Sequence, residues 1–254
     1  MTESPAPDRE LDALDAPDPE LDALSADVRA EASRVWAMRA QSELGASAVF
    51  AELTAAMKVR DAAPEVTALL AQAIVDEERH AEICRAIARR YGDTADPGLP
   101  RPQRLPQFGR ASAPLNTTFN VVLNCCISET VAVEFLRTCR AEARTLTVRS
   151  ALRLLLRDEV DHARAGWAHL ASSQVSAAER REVSVAAPML AGIARAAWTK
   201  SDGPPATAAA GHGWLSDEHV GELFDAVWSH VIVPGLHHVG VECDTVLADA
   251  SRGR

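Results

Sequence analysis

The chain has 254 residues, of which 47% are hydrophobic and 24% charged, so it is long enough to bury one sizeable core as an ordinary globular domain. Its formal net charge is −10, but residues 1–29 carry −7 of it, which leaves the rest at −3 and without the positive excess of a nucleic-acid-binding protein. Aromatic residues make up only 4%, Asn-Gly hairpin signals are missing, and Ala and Leu are abundant, a composition that predicts an all-α protein.

The five cysteines and the N-terminus indicate a soluble protein. No Cys-x-x-Cys pair is present and the number of cysteines is odd, as expected for reduced and mostly buried thiols. The chain does not open on a basic segment followed by an apolar one, and no uninterrupted apolar run approaches the roughly 18 residues of a membrane span. We therefore expect a cytoplasmic protein with neither a membrane nor a nucleic acid as partner.

Residues 1–25 are predicted to form a disordered acidic leader. Four prolines lie there among small and acidic side chains, and the pentapeptide Glu-Leu-Asp-Ala-Leu occurs twice, beginning at Glu10 and Glu20. A segment that docks on a partner through its leucine pairs is the alternative interpretation. Residues 26–254 are predicted to form one helical domain, with a core bundle over about 26–172 and extra helices over about 176–250.

The first two helices are predicted to be antiparallel neighbours. One helical pattern runs from an N-cap at Ser25 to about Arg60, and its apolar stripe includes Glu43. The second begins at Pro64, which suits the first turn of a helix, and ends near Gly92. The turn between the two patterns is short, which favours antiparallel packing.

The second half of the chain is predicted to repeat this arrangement. Residues 92–114 contain so many prolines and glycines that we predict a long crossover there. A third helix follows over about 115–144, with Glu129 in its apolar stripe, and a fourth over about 147–172.

Two further helices are predicted after this bundle. A capping box of Ser176 and Glu179 starts a fifth helix that ends near Lys200. A sixth begins near Ser216, after a loop rich in Gly, Pro and Ala. This last helix is expected to kink or break at Pro234, because proline has no N–H to donate.

One six-residue motif occurs on both the second and the fourth predicted helix. It reads Asp-Glu-x-x-His-Ala and spans residues 76–81 and 158–163. Residues three apart lie on one helix face, so each copy directs a Glu and a His the same way, into the apolar stripe. An unpaired carboxylate between helices costs several kcal/mol, so each Glu must be neutralised, ion-paired or bound to a metal.

Counting from the two turns places the remaining acids at the same height as the motifs. Glu43 and His80 are almost equally far in sequence from Ala62, the centre of the first turn. In the second half, Glu129 and His162 are almost equally far from Leu146. At equal rise per residue, each pair therefore meets across its antiparallel helices.

Six side chains are thus predicted to meet in the centre of the bundle. Four carboxylates contribute −4, two divalent metal ions would contribute +4 and neutral imidazoles add nothing, so a dinuclear metal site leaves the core neutral. Satisfied core polar residues are the alternative, but two such motifs, each matched by an acid on the preceding helix, are difficult to obtain by chance. The predicted metal ligands are Glu43, Glu77, His80, Glu129, Glu159 and His162.

This ligand set resembles that of the ferritin-like di-iron carboxylate superfamily, in which a Glu from each of two helices joins a Glu-x-x-His from each of the other two. The resemblance implies a ferritin-like four-helix bundle with its long crossover between helices 2 and 3. It also implies that Glu77 and Glu159 bridge two iron ions, and manganese or a mixed pair suits the same ligands. Asp76 and Asp158 would then hold the second ring N–H of the ligating histidines across the helix pair, or else are solvent-exposed helix acids.

The two Glu-x-x-His motifs resemble the oxygen-activating members of the superfamily more than classical ferritins. The radical tyrosine of the usual ribonucleotide reductase small subunit would stand at Cys84, and the extra histidine of the arylamine N-oxygenases at Leu155, so neither resemblance is close. The Cys-x-x-Cys module of a classical rubrerythrin is also missing.

The expected function is that of a non-haem di-iron oxidase or oxygenase, with dioxygen as co-substrate, a small-molecule substrate and an external electron donor. A ferroxidase or peroxide-scavenging iron protein without an organic substrate is one alternative, and a metal-free helical scaffold is another. Bundles of this kind often pair, so a homodimer is the default expectation.

Overall fold

The computed structural model describes residues 13–92, 104–200 and 207–244. Within these ranges the regular elements are helical, beside one isolated bridge between Ala210 and Trp214, which confirms the all-α prediction. The long helices are α1 (Ala26–Val59), α2 (Pro64–Tyr91), α3 (Ala113–Glu142), α4 (Leu146–Ala171), α5 (Ala177–Trp198) and α6, which comprises Asp217–Val227, Trp228–Ile232 and Val233–His238.

Local sequence signals fix where these helices begin and end. The hydroxyls of Ser25, Thr145, Ser176 and Ser216 each accept a hydrogen bond from the backbone N–H three residues later, at the starts of α1, α4, α5 and α6. Gly92 ends α2 with a φ of 105°, a left-handed conformation that glycine adopts without strain. The bounds of α1 to α5 lie within two residues of those predicted.

Helices α1 to α4 pack as a helical bundle. α1 packs along α2 and α3 along α4, each pair joined by a turn of a few residues, and α2 packs against α4 through the middle. α1 contacts α3 chiefly through the N-terminal segment Ala113–Val121. Helix α5 packs against Ala113–Val121 and Val122–Glu129 of α3, and α6 packs against Thr130–Glu142.

The connection between α2 and α3 was predicted to be a long crossover. Residues 93–103 of it lie outside the described residues, and residues 104–112 are not helical. This described part is fastened to the start of α3, where Asn116 accepts a hydrogen bond from Phe108 N at 2.8 Å and donates one to Pro106 O at 3.2 Å.

The predicted disorder of residues 1–25 is wrong for residues 14–25, whereas residues 1–12 lie outside the described residues. A short helix, Pro19–Asp22, is folded onto the bundle, and Leu14 and Leu21 are buried in its core. Asp18 fixes this segment to α4, because its carboxylate accepts hydrogen bonds from the backbone and hydroxyl of Thr147, both at 2.8 Å, and from Leu21 N at 3.2 Å. The carboxylate therefore caps two helices at once.

The middle of α3 is wider than an α-helix. Residues Val122–Glu129 form a π-helical segment, in which the Ser128 hydroxyl donates to Leu123 O at 3.0 Å. α3 is also the described helix that is long and apolar enough to cross a membrane, with a mean hydropathy of 1.4 over 18 residues. Because 61% of that stretch is buried against other helices, it has the character of a core helix in a soluble protein.

Proline in α6 causes a distortion rather than a break. Pro234 has no N–H for the carbonyl of His230, and the helix widens into a π-helical turn at Trp228–Ile232 before continuing as Val233–His238. The predicted distortion is therefore present, and the helix continues beyond it to His238.

Asp18→Ala is predicted to lower the free energy of unfolding by about 1–3 kcal/mol, since it removes a double cap and leaves buried donors unpaired. Chemical denaturation followed by far-UV circular dichroism measures the difference. Glu20→Ala, on the exposed side of the same short helix, is the matched control and should change stability little. Equal effects of the two substitutions would contradict the anchoring role of Asp18.

Candidate metal centre

The two sequence motifs meet in the interface between α2 and α4. Glu77, His80, Glu159 and His162 are each at most 3% exposed. Because α2 and α4 pack side by side and each carries its Glu and His one turn apart on its inner face, the four side chains converge on one point. The structure therefore brings the two motifs together, as the sequence predicted.

Each imidazole presents the same nitrogen to the carboxylates. His162 Nδ1 lies 3.1 Å from a carboxylate oxygen of Glu77 and 3.2 Å from one of Glu159. His80 Nδ1 lies 3.5 Å from Glu77 and 3.4 Å from Glu159. The two ring centroids are 5.7 Å apart, so the histidines flank the pair of carboxylates.

The acids of α1 and α3 complete two overlapping groups of metal-binding side chains. One group consists of Glu43, Glu77, His80 and Glu159, and the other of Glu77, Glu129, Glu159 and His162. Within each group the ligand atoms lie within 4.8 Å of one another. Glu77 and Glu159 belong to both groups, so the two groups share two carboxylates.

Without metal, protons neutralise this centre. Burial and the neighbouring carboxylates of Glu77 and Glu159 raise the pKa values of Glu43 and Glu129 well above the usual range. Burial opposes charge on Glu77, but its contacts with His162 and His80 outweigh burial and lower its pKa to about 2. For these groups to bind metal, the protons must leave.

The pKa values of the two histidines are raised as well, but protonation makes an imidazole positive where it makes a carboxylate neutral. Burial disfavours the charged form of His80, yet its hydrogen bond with Asp158 and its contact with Glu77 outweigh burial and raise the pKa of His80 to about 10. The pKa of His162 is raised in the same way, with Asp76 as its first hydrogen-bond partner. Each imidazolium thus stands in a position where a metal would supply the positive charge.

Asp76 and Asp158 support the histidines crosswise. His80 Nε2, on α2, lies 3.2 Å from a carboxylate oxygen of Asp158 on α4. His162 Nε2, on α4, lies 3.5 Å from Asp76 on α2. These contacts orient each ring with Nδ1 toward the carboxylates, and they favour the supporting role over that of free surface acids.

Two arginines pair with these aspartates, and the sequence pattern did not predict either contact. Arg79, between the Glu and the His of the first motif, forms ion pairs with Asp158 and with Asp76, the latter at 3.8 Å. Arg157 contacts Asp158 at 3.2 Å. In the second motif the position of Arg79 is occupied by Asp161, which is exposed and pairs with Arg164. The signal was this difference between two otherwise matching motifs.

The wide segment of α3 approaches α4 closely beside the centre. A Cβ at Gly166, one turn after His162, would lie 2.6 Å from Cys126 Sγ and 2.9 Å from Cys126 N. Glycine is therefore required for this approach, and Glu129 lies at the end of the widened segment. Because π-helical segments depend on tertiary packing and carry no Gly or Pro signal here, the sequence did not predict this one.

The donors fit a pair of metal ions. Glu77 Oε2 and His80 Nδ1 are buried and lie 3.5 Å apart, too far for a strong hydrogen bond, so neither atom has a close partner in the metal-free centre. Carboxylate oxygens and imidazole nitrogens suit iron, manganese or zinc, and the second ring nitrogen of each histidine is already held by a carboxylate. The buried cluster could therefore hold metal.

Other polar side chains of these helices do not join the centre. Glu52 is exposed on α1, and Glu134 pairs with Arg137 on the surface of α3. His169 is buried away from the centre, with Nε2 3.1 Å from the Thr118 hydroxyl and Nδ1 without a hydrogen-bond partner. The described cysteines are free thiols, four buried and one half-buried, as predicted: Cys84, Cys125, Cys126, Cys139 and Cys243.

Comparison with known proteins does not assign the chain to a family. No protein-family model, curated protein or solved structure matches it. The interpretation of the centre therefore depends on its own residues and geometry.

The metal-free protein is predicted to lose stability as the pH rises from about 6.5 to about 10. The folded-state pKa of His80 is raised from 6.5 to about 10, so its stabilising contribution is complete below pH 6.5 and disappears as the pH rises through the folded-state value. Urea unfolding across this range measures the slope. His80→Gln should reduce the slope by the contribution of His80, and the metal-loaded protein, whose imidazoles are already neutral, should lack this component. A slope that is identical in the parent and His80→Gln would contradict the assignment.

Asp158→Asn is predicted to weaken metal binding about 10- to 100-fold, because the amide cannot accept the His80 N–H as a carboxylate does. Competition with a coloured chelator measures the affinity. Asp161→Asn, an exposed acid one turn along the same helix, is the matched control. Equal affinities of the two variants would show that Asp158 does not support the centre.

Proposed function

We propose that this protein is a ferritin-like, non-haem di-iron oxidase or oxygenase that uses dioxygen to oxidise a small organic molecule. The observation that supports this most directly is the pair of ligand groups that share Glu77 and Glu159. Two metal positions with common carboxylates allow two metal ions to act on one oxygen molecule. A single structural metal would not need the second group.

The ligands would divide between the two positions. Glu43 and His80 would hold one iron, Glu129 and His162 the other, and Glu77 and Glu159 would lie between them. When bound, a ferrous pair supplies two electrons to dioxygen. In an oxygenase reaction one oxygen atom would enter the substrate and the other would leave as water with two protons, and an external donor would return to the iron pair the two electrons that it had supplied.

The surrounding side chains have supporting tasks in this proposal. Asp158 and Asp76 hold the imidazole rings in place through their Nε2 atoms. Phe50 packs against His162, with ring centroids 5.3 Å apart, and the fully buried Cys84 lies one turn after His80. Together they keep water away from the centre, which protects a reactive oxidant from unproductive reduction.

Access to the centre is expected between α1 and α3. α2 and α4 close the opposite side by packing directly on each other, whereas α1 contacts α3 chiefly at Ala113–Val121. Glu43 is only partly buried and Glu129 is 9% exposed, more than the four ligands between α2 and α4. A substrate that reaches the ligands would therefore pass the two helices that carry single acids.

The additional helices favour an enzyme over an iron-storage protein. α5 and α6 both pack on α3, the helix that carries Glu129. Storage needs only the four-helix bundle and its iron, whereas an enzyme needs a wall for its substrate. A ferroxidase without an organic substrate is the alternative that the following experiment distinguishes.

The parent protein is predicted to retain about two irons per chain after anaerobic Fe(II) loading and desalting, because two overlapping ligand groups are present. Glu77→Ala/His162→Ala should retain little, and Glu82→Ala/Asp161→Ala, which removes two exposed acids of the same helices, should retain the parent amount.

Exposure to dioxygen with excess Fe(II) then distinguishes an oxidase or oxygenase from an iron-storage protein. An oxidase or oxygenase stops near two irons oxidised per chain, whereas a storage protein continues to accumulate iron. No retained iron in the parent would contradict the proposal.

A further inference from the structure

Arg39 has a polar atom that the structure leaves without a partner. It lies on α1, one turn before Glu43, and its guanidinium is stacked over two aromatic rings, 4.7 Å from the centroid of Trp36 and 5.2 Å from that of Phe135. Nη2 donates a hydrogen bond to Gly213 O at 2.7 Å. Nη1 is buried and has no hydrogen-bond partner.

The positive charge of Arg39 is also unbalanced. Among the residues that the structure describes, no carboxylate forms an ion pair with Arg39, although a side chain four residues on along a helix is within reach. Glu43 is instead directed toward Glu77 and His80. With two divalent metals cancelling the four carboxylates of the centre, Arg39 would remain as a single cation beside a neutral site.

Arg39 occupies the space between α1 and α3. It contacts Phe135 of α3, and its positive charge lowers the pKa of the Cys139 thiol on the same helix, against the larger effect of burial. On the α2 side lies Cys84, whose pKa is raised by burial and by Glu43 and is partly lowered by Arg39. The guanidinium is therefore near the metal ligands and on the side where α1 and α3 are separated.

We propose that Arg39 binds the carboxylate of the substrate, so that the substrate class is small organic acids. This inference rests on the proposed function and deepens it. Arg39 and Glu43 are four residues apart, about 6 Å along α1. An acid group on Arg39 would place the rest of a short molecule beside the ligands Glu43 and Glu129, and it would supply both the missing acceptor and the missing negative charge.

Binding of paired probes to the Zn(II)-loaded parent protein tests this proposal without redox chemistry. The probes are hexanoate against hexanamide and benzoate against benzamide, measured by isothermal titration calorimetry at neutral pH. The parent should prefer each acid over its amide by about tenfold, as a charge-assisted hydrogen bond provides. Arg39→Met keeps most of the side-chain volume but removes the charge. It should reduce the ratio of acid affinity to amide affinity to about 1. Arg39→Lys keeps the charge without the planar fork and should be intermediate.

Arg137→Met is the matched control, because Arg137 is exposed on α3 and pairs with Glu134. It should keep the parent preference.

Metal content is measured for every variant, which separates this proposal from the previous one. A parent that retains metal but shows no preference for acids contradicts the role of Arg39 alone. An acid preference that persists in Arg39→Met also overturns it, since the carboxylate would then be bound by the metal ions. If the parent retains no metal, the proposed function fails, and the same probes on the metal-free protein decide the role of Arg39.

Discussion

Glu77 and Glu159 face one another across the α2–α4 interface, with a histidine from each helix beside them. Two carboxylates enclosed by protein repel each other, and each has lost its hydration, so positive charge must lie between them. In the metal-free protein that charge comes from protons on the imidazoles. The rest of the bundle is arranged around this requirement, since Glu43 and Glu129 add further acids that only metal ions or additional protons can balance.

The effect of this constraint extends outward through both helices. Each histidine is held by an aspartate of the other helix, and Arg79 contacts both aspartates behind them. A shift of α2 along α4 would therefore break the contacts of both rings at once. The close approach at Gly166 fixes α3 against α4 in a similar way, and it sets where Glu129 enters the centre. The position of each ligand thus depends on packing well beyond the ligand itself.

The positions of the candidate ligands could be predicted because they depend on regular geometry. Helical spacing and residue counts from the two turns placed Glu43 beside the first motif and Glu129 beside the second, and the structure agrees. The missed features depend on contacts between distant segments. Residues 14–25 read as a solvated acidic stretch because the burial of Leu21 and the cap at Asp18 require the N-terminus of α4 nearby. Similarly, the unpartnered nitrogen of Arg39 becomes visible only when the neighbouring helices are in place.

The repeated motif gives the centre an approximate twofold symmetry, but its surroundings are not symmetric. Arg79 has no counterpart in the second motif, where Asp161 faces solvent. The ring of Phe50 packs against His162, and Cys84 lies beyond His80. Two metal ions held here would consequently experience different electrostatic fields and different solvation. They would differ in affinity and reduction potential, so the pair would fill and oxidise in a defined order, and an iron-loaded sample would give two separate Mössbauer signals rather than one.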